Sequence, residues 1–295
     1  MSRGILLFAH NNRHIDYGKI ALANACLIKS NMKNNHITLI TDTGTKEWLY
    51  KSYPEETVSK IIDNIVVVKR RLVKNNKRYS DTRYSNVIET FYNINRNECY
   101  HLTPYDETLV IDVDYLICNN LLDQCWELNY DLQINSTSKD ILSTRSYDEF
   151  KYISDQGPIF HWATAFFFRK SKETELFFDI VTDVKLNWDY YRLVYNIEYP
   201  TFRNDFAFSI AVHLFNGKTA NKFISKLPIP FLQHSHSIDD LIDIPEKNSF
   251  KLLLDKPDQP GTYLACKMKN TNVHIMNKFA LNRLADKIIE VNSVI

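Results

Sequence analysis

Short apolar runs alternate with polar clusters along residues 1–130. Ile5-Leu-Leu-Phe-Ala9 has the pattern of a buried strand and stops at His10-Asn11-Asn12-Arg13-His14. Residues 17–30 then place Ile20, Ala23 and Leu27 on one side of a helix. Residues 36–42 read as a second strand ending in Asp42, and residues 45–53 as a helix stopped by Pro54. A third strand follows at 65–69, and Ser85 caps a predicted helix through Asn93. Thr108-Leu-Val-Ile111 is a fourth strand running straight into Asp112-Val113-Asp114, with a helix predicted from Asn119 to Leu128. Strands alternating with helices predict βαβ units and a largely parallel sheet. In such sheets ligands bind beyond the carboxyl ends of the strands, where these polar clusters fall.

Residues 131–295 are less regular. A strand is predicted at 131–135, a turn at Gly157-Pro158, and a strongly apolar strand at 161–169. Helices follow at 174–188 and 205–214. A strand within 223–236 is broken by Pro228 and Pro230, further strands occupy 262–267 and 273–276, and an amphipathic helix covers 281–291. No internal repeat is present, and Asp255–Gly261 is the one loop-rich linker. The expectation is one α/β domain over residues 1–295.

Composition narrows the class. The 295 residues are 44% hydrophobic and 24% charged, enough for a sizeable core. Apolar runs are far shorter than the roughly 20 residues of a spanning helix, so no membrane span is expected. Five dispersed cysteines without C-x-x-C point to free thiols and a reducing, cytoplasmic location. Six glycines, none in G-x-G, exclude the dinucleotide fingerprint and the Walker loop. Heavy use of Asn, Lys, Ile and Tyr fits an AT-rich genome, viral or low-GC bacterial, so that a viral protein would work in the host cytoplasm. Net charge is +1, which gives no global attraction for nucleic acid. Locally, Lys69, Arg70, Arg71, Lys74, Lys77, Arg78 and Arg83 put seven cations into fifteen residues. That run is either a solvated loop or a phosphate-binding patch.

The acid pair Asp112 and Asp114 carries the sharpest chemistry. Buried strands do not normally end in paired carboxylates, and a hard divalent cation, Mg²⁺ or Mn²⁺, accounts for them. Late in the chain, His274 lies in Asn272-Val-His-Ile-Met-Asn-Lys278, where an imidazole can complete such a ligand set. His234, His236 and Asp239 form a weaker second cluster.

In order along the chain, the short first strand, the D-x-D and the late His followed by Lys resemble the GT-A class of nucleotide-sugar glycosyltransferases. The resemblance is nearest to the glycogenin-like and galactosyltransferase-like retaining families. It implies a Rossmann-like α/β fold, with residues 1–130 as the nucleotide-binding half and 131–295 as the acceptor and sugar half. It also implies Mn²⁺ or Mg²⁺ on Asp112, Asp114 and His274, holding the diphosphate of a donor, a UDP-sugar above all. By the same resemblance His10 and Asn11 cradle the nucleotide, Tyr17 stacks on the base, and Asp42 lies near it. Arg83 and Asn86 contact donor phosphate or sugar, Trp162 lines the sugar pocket and Lys278 grips the diphosphate. Asp205 addresses the transferred sugar or the acceptor hydroxyl. The family's glycine near Lys278 is absent. Each residue also has a plainer reading: Tyr17 and Trp162 as core, Asp42 as a turn residue, Asp205 as a helix cap. The acceptor is open between a glycan and, through the basic run 69–83, the hydroxymethylated DNA of a virus. Alternatives are a D-x-D phosphohydrolase and a non-catalytic nucleotide- or glycan-binding relative.

Overall fold

A computed structural model describes residues 1–69, 75–93, 95–145, 150–155, 157–199, 201–217 and 223–292. The chain opens with β1 (Arg3–Ala9), α1 (Tyr17–Asn31), β2 (Ile37–Thr41), α2 (Thr43–Ser52), α3 (Glu55–Ile61) and β3 (Asn64–Val67). A hairpin, β4 (Asn76–Ser80) and β5 (Asn86–Thr90), precedes α4 (Cys99–Leu102), β6 (Glu107–Ile111) and β7 (Tyr115–Leu116). Next come β8 (Leu132–Ile134), β9 (Ser138–Asp140), β10 (Ala165–Arg169), α5 (Lys172–Leu186), α6 (Trp188–Val194) and α7 (Asn204–Asn216). The remaining elements are β11 (Ile224–Ser225), β12 (Leu232–His234), β13 (Asp240–Asp243), β14 (Ser249–Asp255), β15 (Tyr263–Lys269), β16 (Val273–His274) and α8 (Lys278–Asn292).

The central sheet has seven strands in the order β11-β8-β10-β6-β1-β2-β3. Pairs β6-β1, β1-β2 and β2-β3 are parallel, β11-β8 is parallel, and β10 runs antiparallel to both β6 and β8. This is a mixed, mostly parallel α/β sheet flanked by helices, as the alternation predicts. Helices cover the sheet, so β2 and β6 are buried at every position and β1 at all but Arg3. On β10, Phe166, Phe167 and Phe168 are fully buried. Phe166 and Phe168 meet Phe208 and Phe178 at ring distances of 4.7 and 4.9 Å, which locks α5 and α7 onto the sheet.

A second sheet, β7-β16-β12-β9, lies beyond the end of β6. Its register sets His274 opposite Tyr115, one residue from Asp114. A third sheet joins β13, β14 and β15.

Two predicted helices are corrected. Residues 86–90 form β5, because Asn86-Val-Ile-Glu-Thr90 pairs with β4 instead of coiling. Residues 119–128 contain only 3₁₀ turns, Leu121–Trp126. The strand expected at 161–169 begins at Ala165, since residues 161–164 turn across the mouth of the sheet. The hairpin as a whole and the strands β7, β9, β13 and β14 were not expected from the pattern.

Gly4 marks a tight point in β1. A Cβ there would overlap the Tyr105 ring. The Tyr105 hydroxyl is itself fixed to Thr38 Oγ1 and His36 Nδ1, both at 2.7 Å, so the ring cannot swing aside. Gly4→Ala is therefore expected to cost about 1–3 kcal/mol by overpacking, read from urea unfolding. An unchanged midpoint would show that the ring yields freely.

Candidate active site

The site begins where β6 stops. Asp112 donates its N–H to the Thr164 carbonyl (2.7 Å), and Tyr115 N–H returns to the Asp112 carbonyl (2.9 Å). The turn between them is held from below by Asn24 of α1. That fully buried amide donates to the carbonyls of Asp112 (3.2 Å) and Tyr115 (2.8 Å) and accepts from Ile117 N–H (3.1 Å). From the second sheet, Ile275 N–H donates to the Asp114 carbonyl (2.9 Å), which locks His274 beside the acid pair. One ligand atom from each of Asp112, Asp114 and His274 lies within 4.8 Å of the others.

Each acid also faces a cation. Arg96, from the 3₁₀ turn Arg96–Glu98, lies on the Asp112 carboxylate and donates to the Ala163 carbonyl. Lys278, the first residue of α8, lies on Asp114 and donates to the Ile275 carbonyl (2.8 Å). His274 Nε2 is 3.1 Å from Asp114 Oδ1. Burial alone would favour a protonated Asp114, but Lys278 and His274 override it and hold the carboxyl well below the usual range. Burial lowers His274 despite Asp114, so the ring is neutral at pH 7 and keeps a lone pair. Burial likewise lowers Lys278, against the pull of Asp114.

This donor set fits a hard divalent cation. Two carboxylates and one imidazole suit Mn²⁺ or Mg²⁺. Ligands ~2.1 Å from one ion stand at most ~4.2 Å apart, so a small inward movement closes the set.

The acids open into a cavity of about 430 Å³, within the range of small-ligand sites. Tyr17, Lys77, Tyr79, Trp162, Arg203 and Asp205 are among its walls. Tyr17 OH meets Tyr79 OH at 3.2 Å, tying α1 to β4. Burial raises the Tyr17 phenol well above its ordinary value and Tyr79 to about 12, so both remain neutral. Trp162 is largely core, packed on Phe160 (5.0 Å) and His234 (5.5 Å), with one part of the ring in the cavity wall. Asp205 is not the cap of α7, which is Arg203. Its carboxylate accepts from Ala163 N–H (3.0 Å) and from Arg203 (2.9 Å).

Other expected site residues lie elsewhere. His10, Asn11 and Asp42 form a buried network behind the cavity. His10 Nδ1 meets Asp42 Oδ2 at 2.9 Å, and Asp42 caps α2 through Thr45 N–H (3.0 Å). Asn11 N–H donates to Thr45 Oγ1 (2.8 Å), and its side chain accepts from Gly18 N–H (2.8 Å). These bonds fasten β1 to β2 and α1. Arg83 is not brought to the cavity; it pairs with Asp255 (2.5 Å). Asn86 accepts from Arg78 Nε (3.0 Å), also outside the cavity walls. The second cluster does not assemble, because Asp239 is taken by Arg145 (2.6 Å) and by His236 N–H (2.7 Å). Among the described residues, the only group of three candidate metal ligands is Asp112, Asp114 and His274. The basic run is split: Arg70, Arg71 and Lys74 lie outside the described residues, Lys69 is exposed, Lys77 and Arg78 are on β4, and Arg83 is bound to Asp255. This dispersal gives no support to a modified-DNA acceptor.

Two site cations, Arg96 and Arg203, were given no role by the sequence. Arg96 falls in a polar stretch with no periodicity to mark it as buried. Lys77 was legible only as one member of the basic run, a solvated loop or a phosphate patch. Arg203 stood beside Asp205, which alone drew notice.

No family model matches the chain, and no curated protein matches its sequence. Solved structures it resembles include the glycosyltransferase GlyE of Streptococcus pneumoniae TIGR4, at 12% identity and TM-score 0.43 over 77% of this chain and 45% of that one. A galactosyltransferase, LgtC, in complex with donor and acceptor sugar analogs, gives 12%, 0.42, 76% and 72%. The 4-diphosphocytidyl-2C-methyl-D-erythritol synthase of Anaerococcus prevotii DSM 20548 gives 12%, 0.39, 82% and 90%. The chain thus spans less than half the length of GlyE. No helix among the described residues is long and apolar enough to cross a membrane.

Proposed function

We propose that this protein is a metal-dependent glycosyltransferase that moves a sugar from a nucleoside-diphosphate donor, a UDP-sugar above all, to a glycan hydroxyl. The observation that carries the reading is the convergence of Asp112, Asp114 and His274 at the wall of a 430 Å³ cavity beyond the carboxyl end of β6. The order of motifs along the sequence supports it. Asp112, Asp114 and His274 would hold Mn²⁺ or Mg²⁺. When bound, the ion supplies positive charge against the departing diphosphate.

The chain's own residues do the rest. Lys278 is placed to neutralise a diphosphate oxygen, and Arg96 fixes the orientation of Asp112. Asp205, held by Ala163 N–H and Arg203, is aimed to accept a hydrogen bond from a sugar or acceptor hydroxyl. Tyr17, Tyr79 and Trp162 wall the cavity and keep water from competing with the acceptor. A groove of about 730 Å³ lined by Ser136, Ser138, Lys151 and Tyr152 lies behind Phe150, whose ring meets Trp162 at 5.4 Å. Its hydroxyls and open aromatic face suit an acceptor glycan. The order of the late His fits retention, by resemblance. A phosphohydrolase is less well served, because Asp112 and Asp114 both lie against cations and neither is poised as a nucleophile.

The test is a thermal-shift panel of UDP, GDP and CDP with and without Mn²⁺ or Mg²⁺. One nucleotide is expected to raise the melting temperature by roughly 5 °C at a hundredfold excess over Kd, only when metal is present. A shift indifferent to EDTA, or none with any nucleotide, rejects the reading.

A further inference from the structure

Counting charges around the cavity exposes an imbalance. Its described walls carry five cations, Lys77, Arg78, Arg96, Arg203 and Lys278, against three carboxylates, Asp112, Asp114 and Asp205. Arg96 lies on Asp112, Lys278 on Asp114 and Arg203 on Asp205. Neither Lys77 nor Arg78 has an acidic partner among the described residues. Arg78 gives its Nε–H to Asn86 Oδ1 (3.0 Å). Lys77 shares a strand face with Tyr79, whose hydroxyl reaches Tyr17, so its side chain lies along the cavity wall while remaining exposed. Its ammonium stands 5.0 Å from the Phe91 ring centroid and 5.8 Å from that of Tyr79. The residue is exposed to solvent, yet its pKa falls to about 8, through desolvation first and then through Lys278 and Arg203, against the pull of Asp114 and Asp205.

A divalent ion and the two diphosphate charges of a sugar nucleotide cancel one another. Loading the site as proposed therefore leaves the Lys77 ammonium among cations and aromatic rings, feeling Asp114 and Asp205 at a distance but in ion-pair contact with no carboxylate of the described residues. Such a group favours an anion of its own.

We propose that Lys77 forms an anion subsite, separate from the diphosphate site, that reads a carboxylate or phosphate carried by a sugar substrate. The inference rests on the transferase reading and deepens it: this enzyme handles an acidic sugar, either the one transferred or the one that accepts.

The experiment compares wild type, K77M and K77R on matched substrate pairs, using the nucleotide and metal found by thermal shift. For uridine, the donor arm sets UDP-glucuronate against UDP-glucose and reads UDP release. The acceptor arm sets glucuronate and glucose 6-phosphate against glucose, with the better donor held fixed. In one arm the acidic member is expected to win by about tenfold or more in kcat/KM at low salt, and that arm identifies the source of the anion. K77M should reduce the preference to about twofold or less, and K77R should keep it. The metal–nucleotide shift of each variant reports whether its site is folded. Equal rates for acidic and neutral sugars in both arms overturn the proposal. So does a K77M variant that slows both members alike, because Lys77 would then serve the diphosphate itself. A wild type with no metal-dependent nucleotide shift fails the transferase reading first, and the subsite falls with it.

Discussion

Asp114→Asn is expected to lower sugar transfer by about 10³-fold while leaving the chain folded. The carboxylate is buried, yet it is held ionised, above all by Lys278. An amide of the same shape carries no charge, so the divalent ion loses a ligand and Lys278 loses its counter-ion. A bound metal stabilises a departing diphosphate by several kcal/mol, and about 4 kcal/mol corresponds to ~10³ in rate. The variant also leaves Lys278 buried beside a neutral group, at a stability cost of about 1–3 kcal/mol. Rates should therefore be read well below its melting temperature, beside a urea curve. The Mn²⁺-dependent nucleotide shift should vanish with the rate. A folded Asp114→Asn protein that keeps more than about a tenth of the wild-type kcat would remove the metal from the mechanism.

The second large effect is on stability. Arg145→Met is expected to destabilise the fold by about 3–5 kcal/mol. The guanidinium is bonded to Asp140 of β9 (2.8 Å), to Asp239 just before β13 (2.6 Å) and to the Asp255 carbonyl at the end of β14 (3.3 Å). Both carboxylate side chains are wholly shielded from solvent. Methionine fills the space but strands two buried charges. Arg145→Lys keeps the charge without the planar fork that serves both acids, so an intermediate loss is expected. Urea unfolding of the three proteins decides it. A methionine variant within about 1 kcal/mol of wild type would mean that water reaches the acids and compensates them.

How far the sequence announced this arrangement depended on whether burial left a pattern. β1, β2 and β6 are covered by helices on both sides, so their uninterrupted Ile, Leu and Val were legible, and with them the parallel half of the sheet. Asp112 and Asp114 were conspicuous because acids seldom close such a run. The β4–β5 hairpin was invisible for the opposite reason. Asn76-Lys-Arg-Tyr-Ser80 is polar and mostly exposed, with no apolar alternation to betray a strand. Arg96 is legible only in space: it is buried in an irregular turn where nothing local distinguishes it from a surface arginine. His10 and Asp42 were expected at the nucleotide, and the structure bonds them to each other outside the cavity walls. Their chemistry is that of a junction between strands, and hydrogen-bonded side chains at strand ends look the same in sequence whether they hold a ligand or a neighbour.

Because chains are made from the amino terminus, the separation between Asp114 and its partners sets an order of assembly. The central sheet can pair β1, β2 and β6 early, but His274 and Lys278 reach the ribosome exit long afterwards. The helix that Lys278 opens, α8, docks on α1 and its neighbour through Asp286, which meets Lys19 at 2.6 Å and Tyr53 at 2.5 Å. Until that docking, a nascent chain has two acids and no imidazole, and so cannot grip an ion in the way the finished site would. On the proposed reading, competence for chemistry would be deferred until residues 274–278 have been made and docked.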